Sequence, residues 1–148
     1  ADVPARPLLA ILCHPLPTEG GTMHNKVVTM AARALRECGA TTLRFNFRGV
    51  GQSEGSFDDG EGELADLRAV AAWARAQHPD KVLWLAGFSF GAWVSLRLAN
   101  ELKAAALISI APPVRFSKWR GSCTVGACHR SAPDSTNTSA TSTTTFSA

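Results

Sequence analysis

Residues 82–100 read VLWLAGFSFGAWVSLRLAN, and this stretch decides the fold that we predict for the whole chain. The apolar run VLWLA predicts a strand, and the residues after the motif have the apolar spacing of a helix. Between them lies GFSFG, a G-x-S-x-G motif at residues 87–91. Its two glycines leave room for the helix to approach the strand closely. The motif therefore predicts a sharp, strained turn that exposes the Ser89 hydroxyl at the carboxyl end of the strand.

Strands and helices alternate on both sides of this motif. Further strands are predicted at Leu8 to Cys13, Thr41 to Phe47 and Ala105 to Ala111. Helices are predicted from Lys26, capped by Asn25, to about Cys38, from about Glu61 to His78, and from Ser89 to about Lys103. Such alternation is typical of a parallel sheet with helices on both faces. The predicted fold class is α/β, a three-layer sandwich with a mainly parallel sheet of about four strands.

The composition of the chain changes after Phe116. The 148 residues are 45% hydrophobic, yet residues 117–148 contain a single Leu, Ile or Val, and 14 of them are Ser or Thr. We therefore expect a partial domain at residues 1–116 and a disordered, Ser/Thr-rich tail of low complexity at residues 117–148. No apolar run reaches the roughly 20 residues that cross a bilayer. We therefore expect no membrane partner. Since the net charge is only +3 and the basic residues are scattered, we also expect no nucleic-acid partner. The first residues do not form a signal peptide, so a cytoplasmic protein is expected.

Three of the predicted strands end in residues suited to chemistry, which are His14, Arg48 and Ser89. Ligands of parallel sheets bind at the carboxyl ends of the strands, and a developing oxyanion is stabilised at a helix N-terminus. An oxyanion hole needs two N–H donors, and the first would be Phe90, directly after the serine. Pro15 and Pro17 have no N–H, so Leu16 is the nearest second donor. The alternative is a tight turn whose serine only caps the helix.

Three motifs in order resemble the α/β-hydrolase fold, namely HPLPTEGG at 14–21, LRFNFRGVGQSEGSFDDGEGE at 43–63 and GFSFG at 87–91. More narrowly, they are similar to a bacterial group of small, lid-poor serine hydrolases, over about residues 7–113. Many relatives have His-Gly where this chain has His14-Pro15. The resemblance implies hydrolysis of esters, thioesters or amides through an acyl-serine intermediate. It also implies a small-molecule acyl substrate, no cofactor and no metal.

The resemblance also implies a role for each motif residue. Ser89 matches the nucleophile, and the N–H groups of Leu16 and Phe90 match the oxyanion hole. Loop-structuring roles, with His14 not serving as the base, fall to His14, Arg48, Gly87 and Gly91. Apolar contacts to an acyl group are expected from Met23, Phe88, Phe90 and Trp93, although core packing is the preferred role of Trp93.

The catalytic acid and base are not found where the family places them. In that fold the acid and then the histidine follow the serine along the chain. Beyond Ser89 there are only Glu101 and Asp134 as acids and His129 as a base, with His129 and Asp134 in the reverse order. We do not expect these residues to complete a triad. Roles at helix ends or on the surface are expected for His24 and His78.

Both flanks of a complete hydrolase are expected to be absent from this sequence. Seven residues precede the first predicted strand, and no convincing strand follows Ala111. The chain is therefore predicted to be a truncated hydrolase centre. Two functions stay open, a serine hydrolase and a catalytically inactive, hydrolase-like domain with a binding role or no role. The oligomeric state also stays open.

Two further patterns are weak signals for binding sites. Gly49, Gly51 and Gly55 follow a strand, but their spacing is one residue too long for a dinucleotide loop. A C-x4-C-H pattern at residues 123–129 lacks the second ligand pair of a zinc site.

The acidic stretch and the early cysteines have structural interpretations. A solvated face and a helix cap are expected of Asp58, Asp59, Glu61 and Glu63. Cys13 and Cys38 are expected to be buried or semi-buried free thiols.

Overall fold

The computed structural model describes residues 7–113 of the chain. Its elements are β1 (Leu8–Cys13), α1 (Lys26–Glu37), β2 (Thr41–Arg44), α2 (Glu61–Gln77), β3 (Val82–Phe88), α3 (Phe90–Leu98) and β4 (Ala106–Ile110), with a 3-10 turn at Pro17–Glu19. The predicted order of strands and helices is thus confirmed. The boundary at residue 116, the tail at 117–148 and the C-x4-C-H pattern lie outside the described residues.

The four strands form one parallel sheet in the order β2-β1-β3-β4. β1 pairs with β3 along its whole length, from Leu8 opposite Val82 to Cys13 opposite Gly87. β2 and β4 lie at the two edges of this sheet. Because the strands are parallel, their carboxyl ends form one border of the sheet, the carboxyl edge. This edge, which runs across the strand ends, also carries the loops after β1, β2 and β3.

Helices cover both faces of the sheet, as predicted for a three-layer sandwich. α1 packs on one face, in a cluster of Ala10, Leu12, Val28, Ala32, Leu35 and Ala86. α2 and α3 pack on the other face, in a cluster that includes Leu9, Ile11, Leu67, Leu85, Phe90 and Val94. The predicted inward stripe of α2 is buried there, namely Leu64, Leu67, Ala71 and Ala74. The continuous apolar runs of β1 and β3 follow from this coverage, since both of their faces are buried.

Helix α1 begins and ends where the sequence predicts. The Asn25 side chain accepts hydrogen bonds from the Val27 and Val28 N–H groups, at 3.0 and 3.3 Å. After the helix, Gly39 has a φ of 89°, and the Ala40 N–H donates to the Leu35 carbonyl. This is the left-handed helix end that glycine favours.

β4 is one residue shorter than predicted at each end, and two other elements differ more. β2 ends at Arg44 instead of Phe47, because the Phe47 N–H leaves the sheet ladder and donates to the His14 side chain. Regular helix α3 begins at Phe90 and ends at Leu98, whereas the prediction extended it to Lys103. Turns continue to Lys103, whose φ of 53° and the bond from Ala104 N–H to Ala99 carbonyl close the helix.

Candidate active site

Ser89 lies at the junction of β3 and α3 with a strained backbone. Its φ is 54° and its ψ is −116°, in a region that residues with a Cβ atom rarely adopt. The Ser89 N–H donates to the Ile110 carbonyl at 2.8 Å, and the Ser89 carbonyl accepts from the Ala92 N–H at 3.0 Å. The Ser89 side chain makes no capping hydrogen bond to α3. A serine that merely capped the helix would use its hydroxyl for that bond.

The glycines of the motif allow backbone to touch backbone. A Cβ atom on Gly87 would lie 2.2 Å from the Gly91 carbonyl oxygen, inside the first turn of α3. A Cβ atom on Gly91 would lie 2.2 Å from the Cys13 carbonyl oxygen and 2.6 Å from that of His14. Any side chain at these positions would push α3 away from β1 and β3. The first turn of α3 is therefore seated directly on the end of β1.

His14 joins the ends of β1 and β2. Its imidazole is fully buried, donates from Nδ1 to the Pro15 carbonyl at 2.7 Å and accepts at Nε2 from the Phe47 N–H at 3.0 Å. Because one partner is an acceptor and the other a donor, the ring is the neutral tautomer protonated at Nδ1. Burial lowers the pKa of His14 below its usual value of 6.5. Both ring nitrogens are thus engaged in holding loops.

The loop after β1 is folded back on itself. The Leu16 carbonyl accepts from the N–H groups of Glu19 and Gly21, each at 3.0 Å. Gly21 packs so tightly that a Cβ atom there would lie 2.1 Å from the Pro15 carbonyl oxygen. Leu16 is half-buried and packs against the core beneath α2 and α3. The backbone around Leu16 is therefore held in one conformation at the edge where Ser89 lies.

Arg48 fastens the loop after β2 to helix α2. Its N–H donates to Oδ2 of Asp66 at 2.9 Å, and its Nη2 donates to Oδ1 at 2.9 Å. Nε of Arg48 also lies 4.0 Å from Oε2 of Glu63. The Asp66 carboxylate raises the pKa of the Arg48 guanidinium by accepting these bonds. Arg48 was predicted from its position after the strand, whereas no local pattern indicates its partner Asp66, 18 positions further along the chain.

Glu63 corrects the expectation of a solvated acidic face. Its side chain is fully buried and accepts from the Gly60 N–H at 2.8 Å and the Asp58 N–H at 3.1 Å. Glu63 therefore caps the start of α2, while Asp58, Asp59 and Glu61 are exposed. The E-x-E pattern in the first turn of the helix was the available signal for this cap.

Asn46 is a further loop-fastening residue that the sequence analysis missed. Its side-chain oxygen accepts from the Met23 N–H at 2.9 Å, and its carbonyl accepts from the Ser53 hydroxyl at 2.8 Å. Asn46 therefore ties the loop before α1 to the glycine-rich turn after β2. Asparagine within LRFNF, at a predicted strand end, was the only sign of this role in the sequence.

Phe90, which was expected to contact an acyl group, is buried in the core, and so is Trp93, for which core packing was the preferred role. Phe90 is 1% exposed and Trp93 is 7% exposed, and their rings stack with centroids 5.9 Å apart. Phe47 and Phe57 pack edge-on against Phe90. The expectation for Phe90 is therefore wrong because its side chain points beneath the site. Phe88 and Met23 are half-buried.

The described residues do not bring an acid or base to the Ser89 hydroxyl through any described hydrogen bond. His24 is exposed, and His78 follows the end of α2. The Glu101 carboxylate accepts from Arg68 Nε at 2.6 Å on the surface, and this bond lowers the pKa of Glu101. His129 and Asp134 lie outside the described residues.

Metal and membrane sites find no support within residues 7–113. No group of three or more His, Cys, Asp or Glu side chains in this part could hold a metal ion. None of its helices combines the length and apolar character that crossing a membrane requires. Cys13 is buried as expected, whereas Cys38 is exposed, since it lies at the solvent-facing end of α1.

Solved structures similar to this chain include two bacterial serine hydrolases. An α/β serine hydrolase without a lid from Xanthomonas campestris is 68% identical, with 79% of this chain and 54% of that chain covered and a TM-score of 0.74. An α/β serine hydrolase homologue from Coxiella burnetii is 50% identical, with 78% and 58% covered and a TM-score of 0.73. An esterase from Pyrococcus furiosus is 26% identical, with 73% and 43% covered and a TM-score of 0.66.

A curated protein gives the same picture of partial coverage. An uncharacterised protein of Rickettsia prowazekii (strain Madrid E) is 42% identical over 108 residues, which are 72% of this chain and 45% of that protein. The chain thus spans about half the length of the relatives it matches.

The family model of the alpha/beta hydrolase fold matches residues 11–122 of this chain. This range contains the second half of β1, the strands β2, β3 and β4, the Ser89 junction and the three loops described above. The chain therefore belongs to the α/β hydrolase fold family.

Proposed function

We propose that the chain is a serine hydrolase that acts on esters, thioesters or amides through an acyl-Ser89 intermediate. The observation that carries this proposal is the Ser89 backbone, with its φ of 54° and a side chain that does not cap α3. Strained residues cost stability and cluster at functional sites. The proposed nucleophile is thus a residue that the fold holds in a strained conformation between β3 and α3.

In the proposed reaction, Ser89 Oγ attacks the substrate carbonyl carbon while a base takes the hydroxyl proton. The carbonyl oxygen becomes an oxyanion, and the bond to the alcohol, thiol or amine then breaks as that group takes a proton. Water next attacks the acyl-serine, which releases the carboxylic acid and restores the hydroxyl. The reaction needs no cofactor, and its proposed substrate is a small acyl compound.

The proposed oxyanion donors are the N–H groups of Phe90 and Leu16. Phe90 is the first residue of α3, and the N-terminus of a helix carries a partial positive charge. Leu16 lies in the rigid loop after β1, next to the strand that α3 touches at Gly91. Preorganised donors of this kind stabilise the transition state without reorganisation.

Serine hydrolase chemistry is supported by the relatives and by the loop geometry. The Xanthomonas campestris and Coxiella burnetii structures are of an α/β serine hydrolase and a serine hydrolase homologue. His14, Arg48, Gly87 and Gly91 structure the loops in this proposal, and their contacts hold the edge at which Ser89 lies. The proposal assigns no acid or base among residues 7–113, where no described hydrogen bond joins such a side chain to Ser89.

A catalytically inactive hydrolase-like domain is the second candidate. The observation that favours it is that His14, the buried imidazole among residues 7–113, uses both ring nitrogens for backbone bonds. Loss of triad members removes most of the rate enhancement of such enzymes. This candidate would retain the fold and the strained serine without turnover.

A labelling experiment separates the two candidates. The full chain, Ser89→Ala and the control Ser56→Ala, an exposed loop serine, would each be treated with a fluorophosphonate and assayed with p-nitrophenyl acetate. The hydrolase proposal expects labelling and turnover in the full chain and the control, and neither in Ser89→Ala. Folded protein without labelling or turnover would support the inactive domain, and equal labelling of Ser89→Ala would exclude Ser89 as the nucleophile.

We also propose a cytoplasmic location. Cys13 and Cys38, the cysteines within the described residues, are both free thiols. Free thiols are typical of reducing compartments.

A further inference from the structure

A second strained residue lies beside Ser89. Ala111 follows β4 with a φ of 47°, and Ser89 follows β3 with a φ of 54°. The two strands are neighbours in the parallel sheet, with Phe88 opposite Ile110. Two left-handed residues with a Cβ atom thus occupy adjacent strand ends at the edge that carries the proposed nucleophile. The proposed function accounts for Ser89 and leaves Ala111 unexplained.

The conformation of Ala111 opposes two local preferences. A residue with a Cβ atom disfavours a left-handed backbone, and glycine is the usual choice there. A residue before proline, as Ala111 is before Pro112, favours an extended backbone. Both preferences would carry the chain straight on from β4. The surrounding structure therefore imposes the turn at Ala111.

The end of β4 has one more unfavourable feature. Ser109 Oγ is buried and has no hydrogen-bond partner within residues 7–113. Ser109 pairs with Gly87, and paired residues of parallel strands point to the same face of the sheet. Its hydroxyl therefore lies on the face that α3 covers, beside the glycine that admits the first turn of α3. A buried polar group without a hydrogen bond lowers stability, so one beside a candidate site needs a structural explanation.

A hydrogen bond connects this corner to the nucleophile. The Ser89 N–H donates to the Ile110 carbonyl at 2.8 Å, one residue beyond the end of β3. The Ile110 carbonyl belongs to the peptide unit that leads into Ala111, so the turn at Ala111 fixes the orientation of that unit. An extended residue 111 would instead continue the chain alongside Ser89.

We propose that the Ile110–Ala111 corner is a positioning element for Ser89. The left-handed turn at Ala111 holds the Ile110 carbonyl on the Ser89 N–H, and this bond holds Ser89 at its own positive φ. Ala111 is a positioning residue and takes no part in the chemistry. Its consequence for reactivity rests on the proposed function, while its consequence for the Ser89 backbone does not.

The test compares Ala111→Val with Ala111→Gly in the full chain. Valine is strained at a positive φ, whereas glycine adopts it freely. The matched control is Lys103→Val. Lys103 is also left-handed, with a φ of 53°, but it lies before the amino end of β4, away from the carboxyl ends of the strands. Hydrogen exchange of the Ser89 amide, measured by NMR, reports the bond to Ile110. The rate of fluorophosphonate labelling reports the reactivity of Ser89.

Ala111→Val is expected to lose protection of the Ser89 amide and to slow labelling about tenfold, because a β-branched residue adds strain at a positive φ beyond that of alanine. Ala111→Gly is expected to retain both, and Lys103→Val is expected to lower the melting temperature without changing either. Unchanged exchange and labelling in Ala111→Val, or equal losses in Lys103→Val, would overturn the proposal.

Two further measures keep the test decisive. If Ala111→Val does not fold, Ala111→Thr gives the same comparison, because threonine is also branched at Cβ but is polar. If the unsubstituted chain is not labelled, the proposed function fails, but the Ser89 amide still tests the corner. Unequal amide protection in the valine and glycine variants would then support the positioning role, and equal protection would refute it.

Discussion

Gly91 lies where the first turn of α3 touches β1, and a Cβ atom there would come within 2.2 Å of the Cys13 carbonyl oxygen. Neither partner is the end of a flexible side chain, so helix and strand would have to separate. We predict that Gly91→Ala lowers the free energy of unfolding by about 3 kcal/mol, as overpacking of a tight core does. Urea denaturation monitored by circular dichroism measures this change.

Gly39→Ala is the control for that substitution. Gly39 has a φ of 89° but no atom within 4 Å of its Cβ position. Its cost is therefore the left-handed backbone alone, about 1 kcal/mol. Equal losses in the two variants would show that the contact between α3 and β1 yields at little cost.

A pH-dependent loss of stability is predicted from His14. Burial lowers the pKa of His14 in the folded state, whereas the unfolded chain keeps a value near 6.5. Below that pH the unfolded state binds a proton that the folded state refuses, so stability falls as the pH falls from about 6.5 towards the folded-state pKa. Above it, the contribution of His14 is fully present.

The variant His14→Gln isolates this contribution. Glutamine offers one donor and one acceptor, as the neutral imidazole does for Pro15 and Phe47. Urea denaturation between about pH 7.5 and pH 5.5 is expected to show a shallower loss of stability in the variant than in the unsubstituted chain. The same slope in both proteins would contradict a titration of His14.

Among the elements, α2 and the loop after β2 are joined through Arg48 and Asp66. The Asp66 carboxylate accepts from both the backbone and the guanidinium of Arg48, and such charge-assisted pairs are the stronger hydrogen bonds. Both side chains are partly exposed, at 31% and 21%, so solvent screens part of this gain. We predict that Asp66→Ala lowers the free energy of unfolding by about 1–2 kcal/mol in urea denaturation.

Arg68→Ala provides the comparison, because Arg68 and Glu101 form an ion pair on the surface. We expect little measurable change in stability from its loss. If Arg68→Ala lowered the free energy of unfolding as much as Asp66→Ala does, the hydrogen bond from the Arg48 N–H to Asp66 would add nothing to stability.

The elements could be predicted wherever the signal is local. Apolar runs mark β1 and β3, Asn25 and Gly39 mark the two ends of α1, and glycines bracket Ser89. Contacts between distant parts of the chain decided the rest. β2 stops early because the Phe47 N–H bonds to His14, 33 positions away, and the sequence does not announce that pairing. Burial of Glu63 and the Asp66 bond to Arg48 were missed for the same reason.

On the scale of the whole molecule, the two described cysteines report on global unfolding. Cys13 lies in the central strand β1, and burial raises its pKa to about 12, whereas Cys38 is exposed. A thiol reacts as its thiolate, so we predict that iodoacetamide modifies Cys38 in the native protein and Cys13 only after unfolding. Peptide mass spectrometry with and without urea measures both sites in one sample.

If iodoacetamide modified Cys13 to the same extent with and without urea, β1 would have to become exposed in the native state. If Cys13 reacts only in urea, its rate gives the stability of the whole sheet, because β1 pairs with both β2 and β3.

The pairing of β1 with β3 also sets an order of events during synthesis. Leu8 lies opposite Val82, a separation of 74 positions, and the same pairing joins the rest of β1 to β3. The central seam of the sheet therefore cannot close while β3 is still inside the ribosome, however early β1 has emerged. Until then, β1 carries its apolar residues without its main partner, and closing so long a loop slows folding. During synthesis there is thus a delay between the emergence of β1 and its pairing with β3, and chaperones can bind the exposed β1 in that interval.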